Sequence, residues 1–331
     1  MVGDDLSVKP MSASMMRCVI ATRMLAELYT SSLPLMSTAI RLTVEAVPGQ
    51  KAGAWPPTPF TFAISPFTYS GFTGARLVGT GKIDIGFMNP SLIATLAYLG
   101  KRPYRRPYPI RALGVHPSWD RMVLAVDKSL GIRTMAELKR LRPAMRIQSS
   151  QNDCTAYACN AVLRAHGLSY AELAAWGGSI EYTSRPSSPR RIDGIRNHEA
   201  QAILDEGVTS WGQTAVDAGF VYLDFEPAAL KRLEKMGFTP APLGPEHMPG
   251  VDQTATVIDY SGWPIITHDR LPEPLAYAMA ELLDRFREEI PYDQPTPPPA
   301  ADICRDTPHG PLAVPLHPGA ERYYRERGYL T

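Results

Sequence analysis

Hydrophobic and polar positions alternate along this chain in two periods, and the change of period marks its elements. Short apolar or alternating runs at 6–9, 41–47, 110–115, 122–126, 145–148, 180–183, 201–204, 219–223, 253–259 and 263–268 predict strands. Helical spacing appears between them. Ser12 or Ser14 can cap a helix with Met16, Val19, Ile20, Met24 and Leu25 on one face, and Thr134 with Glu137 has the form of a capping box. A helix over 156–166 ends at Gly167, and one over 272–289 places Leu275, Met279, Leu282, Leu283 and Phe286 on one face. From 119 onward, strands alternate with helices, which predicts an α/β protein with a mostly parallel sheet in its second part.

Within this pattern the stretch 79–91 is a small-residue turn, an apolar strand and a polar loop, Asn89, Pro90 and Ser91, that opens a helix. A similar strand, loop and helix start recurs at 200–211. Two such units predict two lobes with a ligand cleft between them, because open α/β sheets bind ligands outside the carboxyl ends of their strands. The expected lobes are 1–118 with 251–331, and 119–250. Between 49 and 74 lies a segment rich in proline and aromatic residues, too long for a turn, read as a packed loop, a lid or a homodimer contact.

Composition narrows the function without naming it. At 331 residues and a net charge of +1, the chain has a sizeable core and no electrostatic footprint for nucleic acid. Its 32 prolines, clustered around 56–66, 103–109 and 295–315, imply long ordered connections. Cys18, Cys154, Cys159 and Cys304 lack metal-ligand spacing and read as reduced, partly buried thiols. No phosphate loop, dinucleotide fingerprint, metal cluster or Ser-His-Asp order is present, so neither a cofactor nor a metal is expected. The first residues are acidic where a secretory signal is basic, and no apolar run is of membrane-spanning length. As written, the sequence implies a cytoplasmic protein, or a periplasmic one if a signal was removed from its start.

By position, the strand-end loops bring together Ser12, Ser14, Asn89, Ser91, Trp119, Asn152, Thr155, Glu206, Trp211 and Trp263. Hydroxyls, amides and N–H groups at helix starts suit an anionic group, and tryptophans suit a ring, so the expected ligand is a small carboxylate, aromatic or not. Asp205 and Glu206 can be solvated acids at a helix start. If Glu206 is walled off from water, its pKa rises and it can act as a general acid or base, with His116 and Cys154 as further titratable groups.

Five stretches, 81–87, 131–139, 248–252, 269–277 and above all 315–324, together resemble the TAXI-type solute-binding proteins of TRAP transporters, from about residue 40 onward. The resemblance implies a two-lobed type II periplasmic-binding-protein-like fold, a cleft closing on a small carboxylate and, for a secreted protein, membrane transporter subunits as partners. The chain departs from that pattern in its first loop (10–17), in the 49–74 insertion, and in carrying two acids at 205 and 206. Two readings follow: a module that binds a small organic acid, and a cytoplasmic enzyme on the same fold, such as a decarboxylase or related lyase with Glu206 as the acid or base.

Overall fold

The computed structural model describes residues 71–331 apart from 152, 184, 185, 286 and 288–297, and before them three strands, Asp5–Val8, Ile40–Val44 and Phe60–Ser65. The expected helix behind Ser12 and Ser14, together with Cys18 and Asn152, lies outside the described residues. The chain divides into two compact units, Met1–Ser118 with Ser261–Thr331, and Trp119–Tyr260.

The first unit is built on a six-stranded sheet. The strands are β1 (Asp5–Val8), β2 (Ile40–Val44), β3 (Phe60–Ser65), β4 (Ile85–Phe87) and β5 (Ile110–His116), completed by the last strand of the chain, β13 (Trp263–His268). Their order is β1-β2-β3-β4-β13-β5, with β13 antiparallel to both neighbours. The aromatic-rich segment is thus not a loop throughout. Phe60–Ser65 runs antiparallel to β2 and parallel to β4, inside the sheet. Its large apolar residues, Phe60, Phe62 and Ile64, alternate with small or polar ones, a period of two that fits a strand, and the flanking prolines hid it.

One face of this sheet is covered by the helix Glu273–Arg285, whose Leu275, Met279, Leu282 and Leu283 are buried in one cluster with Ile85, Phe87, Leu113 and Ile265. The C-terminal helix Pro318–Glu326 packs into the same cluster through Tyr323 and Tyr324. Tyr324 donates its hydroxyl to the Leu113 carbonyl at 2.9 Å. Buried Asp284 accepts from Tyr323 at 2.7 Å, from Arg287 at 2.6 Å and from Tyr329 at 3.1 Å, so the tail motif fastens the end of the chain to the sheet. Asp84 pairs with His268 at 3.2 Å, a contact between the turn before β4 and the end of β13.

The second unit has a seven-stranded sheet made of β6 (Arg121–Asp127), β7 (Arg146–Ser150), β8 (Ser179–Thr183), β9 (Ala202–Asp205), β10 (Phe220–Tyr222), β11 (Pro240–Leu243) and β12 (Ala255–Asp259). The order is β11-β12-β6-β9-β7-β8, with β10 also on β6. Only β7–β8 and β7–β9 are parallel, so the sheet is mixed rather than mostly parallel. β6, buried at all seven positions, runs against β9, β10 and β12, which makes every pairing on its two edges antiparallel. β12 belongs to this unit, so the chain returns to the first unit at Ser261 and not at 251. β11 carries Pro240 and Pro242, which an edge strand tolerates because one of its edges needs no donor. The capping box of Thr134 and Glu137 is formed as its spacing implies.

Candidate functional site

In the second unit, the ends of β7, β9 and β12 and the start of β6 lie at one end of the sheet. Each contributes a polar side chain. Ser150 closes β7 and donates to Asp205 at 2.7 Å; Asp205 closes β9; Tyr260 follows β12; Asp120 precedes β6. Thr155, in the first turn of the helix Asp153–Ala165, joins them by donating to Glu206 at 3.3 Å and lying 3.4 Å from the Tyr260 hydroxyl.

Two carboxylates anchor this end in different ways. Asp205 is fully buried with Arg191, whose guanidinium reaches it at 2.5 Å, and Asp205 also accepts the Glu206 N–H at 2.9 Å. Asp120 accepts three backbone N–H groups, from Arg121 at 2.7 Å, Gly207 at 2.8 Å and Val208 at 2.9 Å. Gly207 and Val208 open the helix Val208–Asp217, so Asp120 fills the anion-binding seat at that helix's N-terminus with the protein's own charge. Gly207 makes the turn possible: its φ is +72°, and a Cβ there would come within 2.4 Å of Pro186.

Glu206 lies between these anchors, half-buried, with its side chain hydrogen-bonded to Asp120. Burial raises its pKa well above the ordinary carboxyl value, and the neighbouring charges of Asp120 and Asp205 raise it further. Burial also pushes Asp120 up, to about 6, against the opposing hydrogen bonds from Glu206 and the backbone. The N–H groups aimed at Asp120 favour its ionised form, whereas burial and the two neighbouring acids favour the protonated form of Glu206.

The remaining expected residues of this unit take supporting positions. Trp211 is fully buried and donates its indole N–H to the Glu206 carbonyl at 2.8 Å, so it holds the loop rather than offering a ring face. Trp119 is buried too, stacked on His247 at 5.1 Å and under the Arg121 guanidinium at 4.7 Å. Cys154, beside Thr155, is buried and forms no disulfide among the described residues, and the same holds for Cys159 and Cys304; burial raises the Cys159 thiol far above its usual range. Asp120, Arg191, Ser150 and Tyr260 had no signal in the sequence, since nothing in their neighbours announces what they meet across the sheet.

The first unit gathers its own set. The ends of β4 and β5 and the start of β13 place Asn89, Ser91, His116 and Trp263 at one end of that sheet, with Trp263 opposite His116 in the ladder. Ser91 is buried, its N–H donates to the Ser261 carbonyl at 3.1 Å, and its hydroxyl has no partner among the described residues. Asn89 and Trp263 are half-buried, and His116 is buried.

With this geometry in place, comparison with known proteins is specific at one level. The NMT1-like family matches residues 68–328, most of the chain. The protein belongs to the NMT1-like family. No curated protein matches it by sequence. Among solved structures, the NMT1-like chain is similar to the alkanesulfonate-binding protein SsuA from Xanthomonas axonopodis pv. citri bound to MOPS, at 15% identity and a TM-score of 0.29, over 67% of this chain and 63% of that one. It is similar to XAC2383 from Xanthomonas citri bound to chloride ion at 13% identity and a TM-score of 0.36, over 78% and 80% of the two chains. A TctC solute binding protein from Polaromonas matches at 11% identity and a TM-score of 0.34, over 62% and 64%. The chain thus spans less than two thirds of the length of that SsuA. The fold of this NMT1-like protein is α/β and type II periplasmic-binding-protein-like, carried by two units that the chain enters and leaves at 118/119 and 260/261.

Proposed function

We propose that this NMT1-like protein is a solute-binding module for a small organic acid, the role of TAXI-type solute-binding proteins of TRAP transporters, with Glu206 as the acid of its second unit that meets the ligand. One observation carries the reading: the Glu206 carboxyl lies at the strand ends beside the Thr155 hydroxyl and two further acids, a setting that raises its pKa well above the ordinary carboxyl value. An ionised glutamate repels a ligand carboxylate, whereas a protonated one can turn its single O–H from Asp120 to the ligand. Asp120 supports a protonated Glu206, because the N–H groups of the helix seat favour the charge on Asp120. In that role the partners are a small carboxylate and the membrane subunits of a transporter.

The test is calorimetric titration with a panel of aliphatic and aromatic acids between pH 5 and 9. Affinity is expected to fall as pH rises through the Glu206 pKa, and Glu206→Gln, which keeps a donor, is expected to bind with little dependence on pH. Absence of binding by every acid, or wild-type binding indifferent to pH, would sink the proposal.

The same protonated carboxyl favours a second reading, a lyase such as a decarboxylase in which Glu206 protonates the carbanion left by loss of carbon dioxide. Thr155 and Tyr260 then form a hydroxyl relay behind it. Product detection separates the two: turnover lost in Glu206→Gln with binding retained supports the enzyme, and binding without product over hours refutes it.

A further inference from the structure

One edge of β6 carries two partners in succession. Its first residues, Arg121 and Met122, pair with β12, and its last, Ala125 to Asp127, pair with β10. The sheet edge therefore splits. Beside β10 the split is a cavity of about 240 Å³, walled by Phe220, Val221 and Tyr222 on one side and the segment 250–255 on the other, with Lys128 and Arg133 at its rim. Asp120 precedes β6 and Lys128 follows it, so this cavity lies at the opposite end of the strand from the carboxyl pair, roughly 20 Å away for a strand of that length.

The backbone of β10 turns half its hydrogen-bonding groups toward this cavity. In an antiparallel ladder, alternate residues face the partner strand or away from it. Val221 lies opposite Val126, the Gly219 carbonyl accepts from the Lys128 N–H at 3.1 Å, and the Leu223 N–H donates to the Leu124 carbonyl at 2.9 Å. Residues 219, 221 and 223 thus face β6, and Phe220 and Tyr222 turn their N–H and C=O groups outward. Both are buried, and among the described residues neither has a backbone partner on that side. Phe220 and Tyr222 therefore offer two N–H and two C=O groups to whatever fills the cavity.

Lys128 adds a charge. Its chain lies against Gly219, where a Cβ would come within 3.0 Å of Cε and 3.2 Å of Nζ, so the glycine makes room for it beside β10. Nearby acids are engaged elsewhere: Asp127 with His198 at 2.7 Å, Asp252 with Arg133 at 2.8 Å, and Asp224 with the Thr256 N–H at 2.7 Å.

We propose that this cavity is a second ligand site, for a small molecule that carries both an amide and a carboxylate. The amide completes the outward edge of β10 as an added strand residue would, and the carboxylate meets Lys128. The volume is the liquid share of about eight water molecules, which suits a ligand of about that many non-hydrogen atoms. N-acetylglycine has this size and both groups.

The experiment titrates the full chain with N-acetylglycine, with acetate as the carboxylate alone and with N-acetylglycinamide as the amide without the charge, following backbone amide NMR signals. N-acetylglycine is expected to shift the Phe220 and Tyr222 signals saturably and to bind more tightly than either partial probe. Lys128→Ala is expected to weaken it about tenfold or more, the usual effect of losing a hydrogen bond to a charged group. No saturable shift at these two residues, equal binding of all three probes, or unchanged affinity in Lys128→Ala would overturn the proposal. Glu206→Gln should leave the titration unchanged, which keeps this site separate from the strand-end site; a shift in affinity with that variant would also overturn it.

Discussion

The two units meet the same topological requirement with opposite chemistry. In the first, the strand ends hold Asn89, the ring of Trp263, His116 and a Ser91 hydroxyl with no partner among the described residues, and no acid stands among these four. In the second, three acids crowd one end of the sheet, and two are neutralised by the protein itself, Asp205 by Arg191 and Asp120 by a helix N-terminus. A free helix start is a ready anion site; one already filled by a carboxylate is not. Glu206 has no such counter-charge among the described residues, and burial with two neighbouring acids raises its pKa well above the ordinary carboxyl value. The contrast teaches that position at a strand end does not specify chemistry, and that a carboxylate two elements away can reverse it.

The largest break in this contrast should come from Arg191→Ala. It leaves Asp205 buried without its counter-charge, and removing one member of a buried pair costs about 3–5 kcal/mol. Denaturant unfolding should show that loss, and the Thr155 and Glu206 NMR signals should move with it, since Asp205 holds the Glu206 N–H. An effect below about 1 kcal/mol, the value of an exposed pair, would mean that Asp205 is not held as an ion.

A smaller effect, with a definite sign, attaches to the proton on Glu206. Its folded pKa lies above its unfolded one, so the native state binds more protons and the stability it contributes is lost as pH rises through the folded value. Asp120, raised to about 6, acts in the same direction. The contribution of this pair should therefore decline from about pH 4, the unfolded carboxyl range, upward past pH 6, and it is read as the difference between wild type and Glu206→Gln. Unfolding curves of both proteins across this range measure it; parallel pH profiles would count against a raised Glu206 pKa.

The smallest effect belongs to the first unit. Ser91→Ala removes a buried hydroxyl with no partner among the described residues and should change stability by less than about 0.5 kcal/mol, or slightly raise it. A loss above about 1 kcal/mol, measured by thermal unfolding, would show that the hydroxyl is engaged and that the first unit is as tightly wired as the second.

Much of this fold is legible along the chain, for a local reason. The capping box at Thr134 and Glu137 spans one turn, the apolar face of Glu273–Arg285 repeats at helical spacing, and β5, β6 and β13 are apolar runs of strand length. Those signals depend on neighbours a few residues apart. β3 was legible by its alternation but lay among prolines and aromatics that read as loop, and β11, with prolines at two of its four positions, exists only because it lies at an edge.

Local pattern thus carries the α/β class, most of the strands and the capping box, and Glu206 as an acid at the end of an apolar strand. What that acid does was decided by tertiary structure. Asp120 reaches Gly207 across 87 residues, Ser150 reaches Asp205 across 55, and Arg191 is buried against Asp205 only once β7, β8 and β9 are side by side. A pKa is set by burial and by charges within a few ångströms, and neither is a property of sequence spacing. The split edge of β6 is of the same kind, since it exists only where β10 and β12 share one strand.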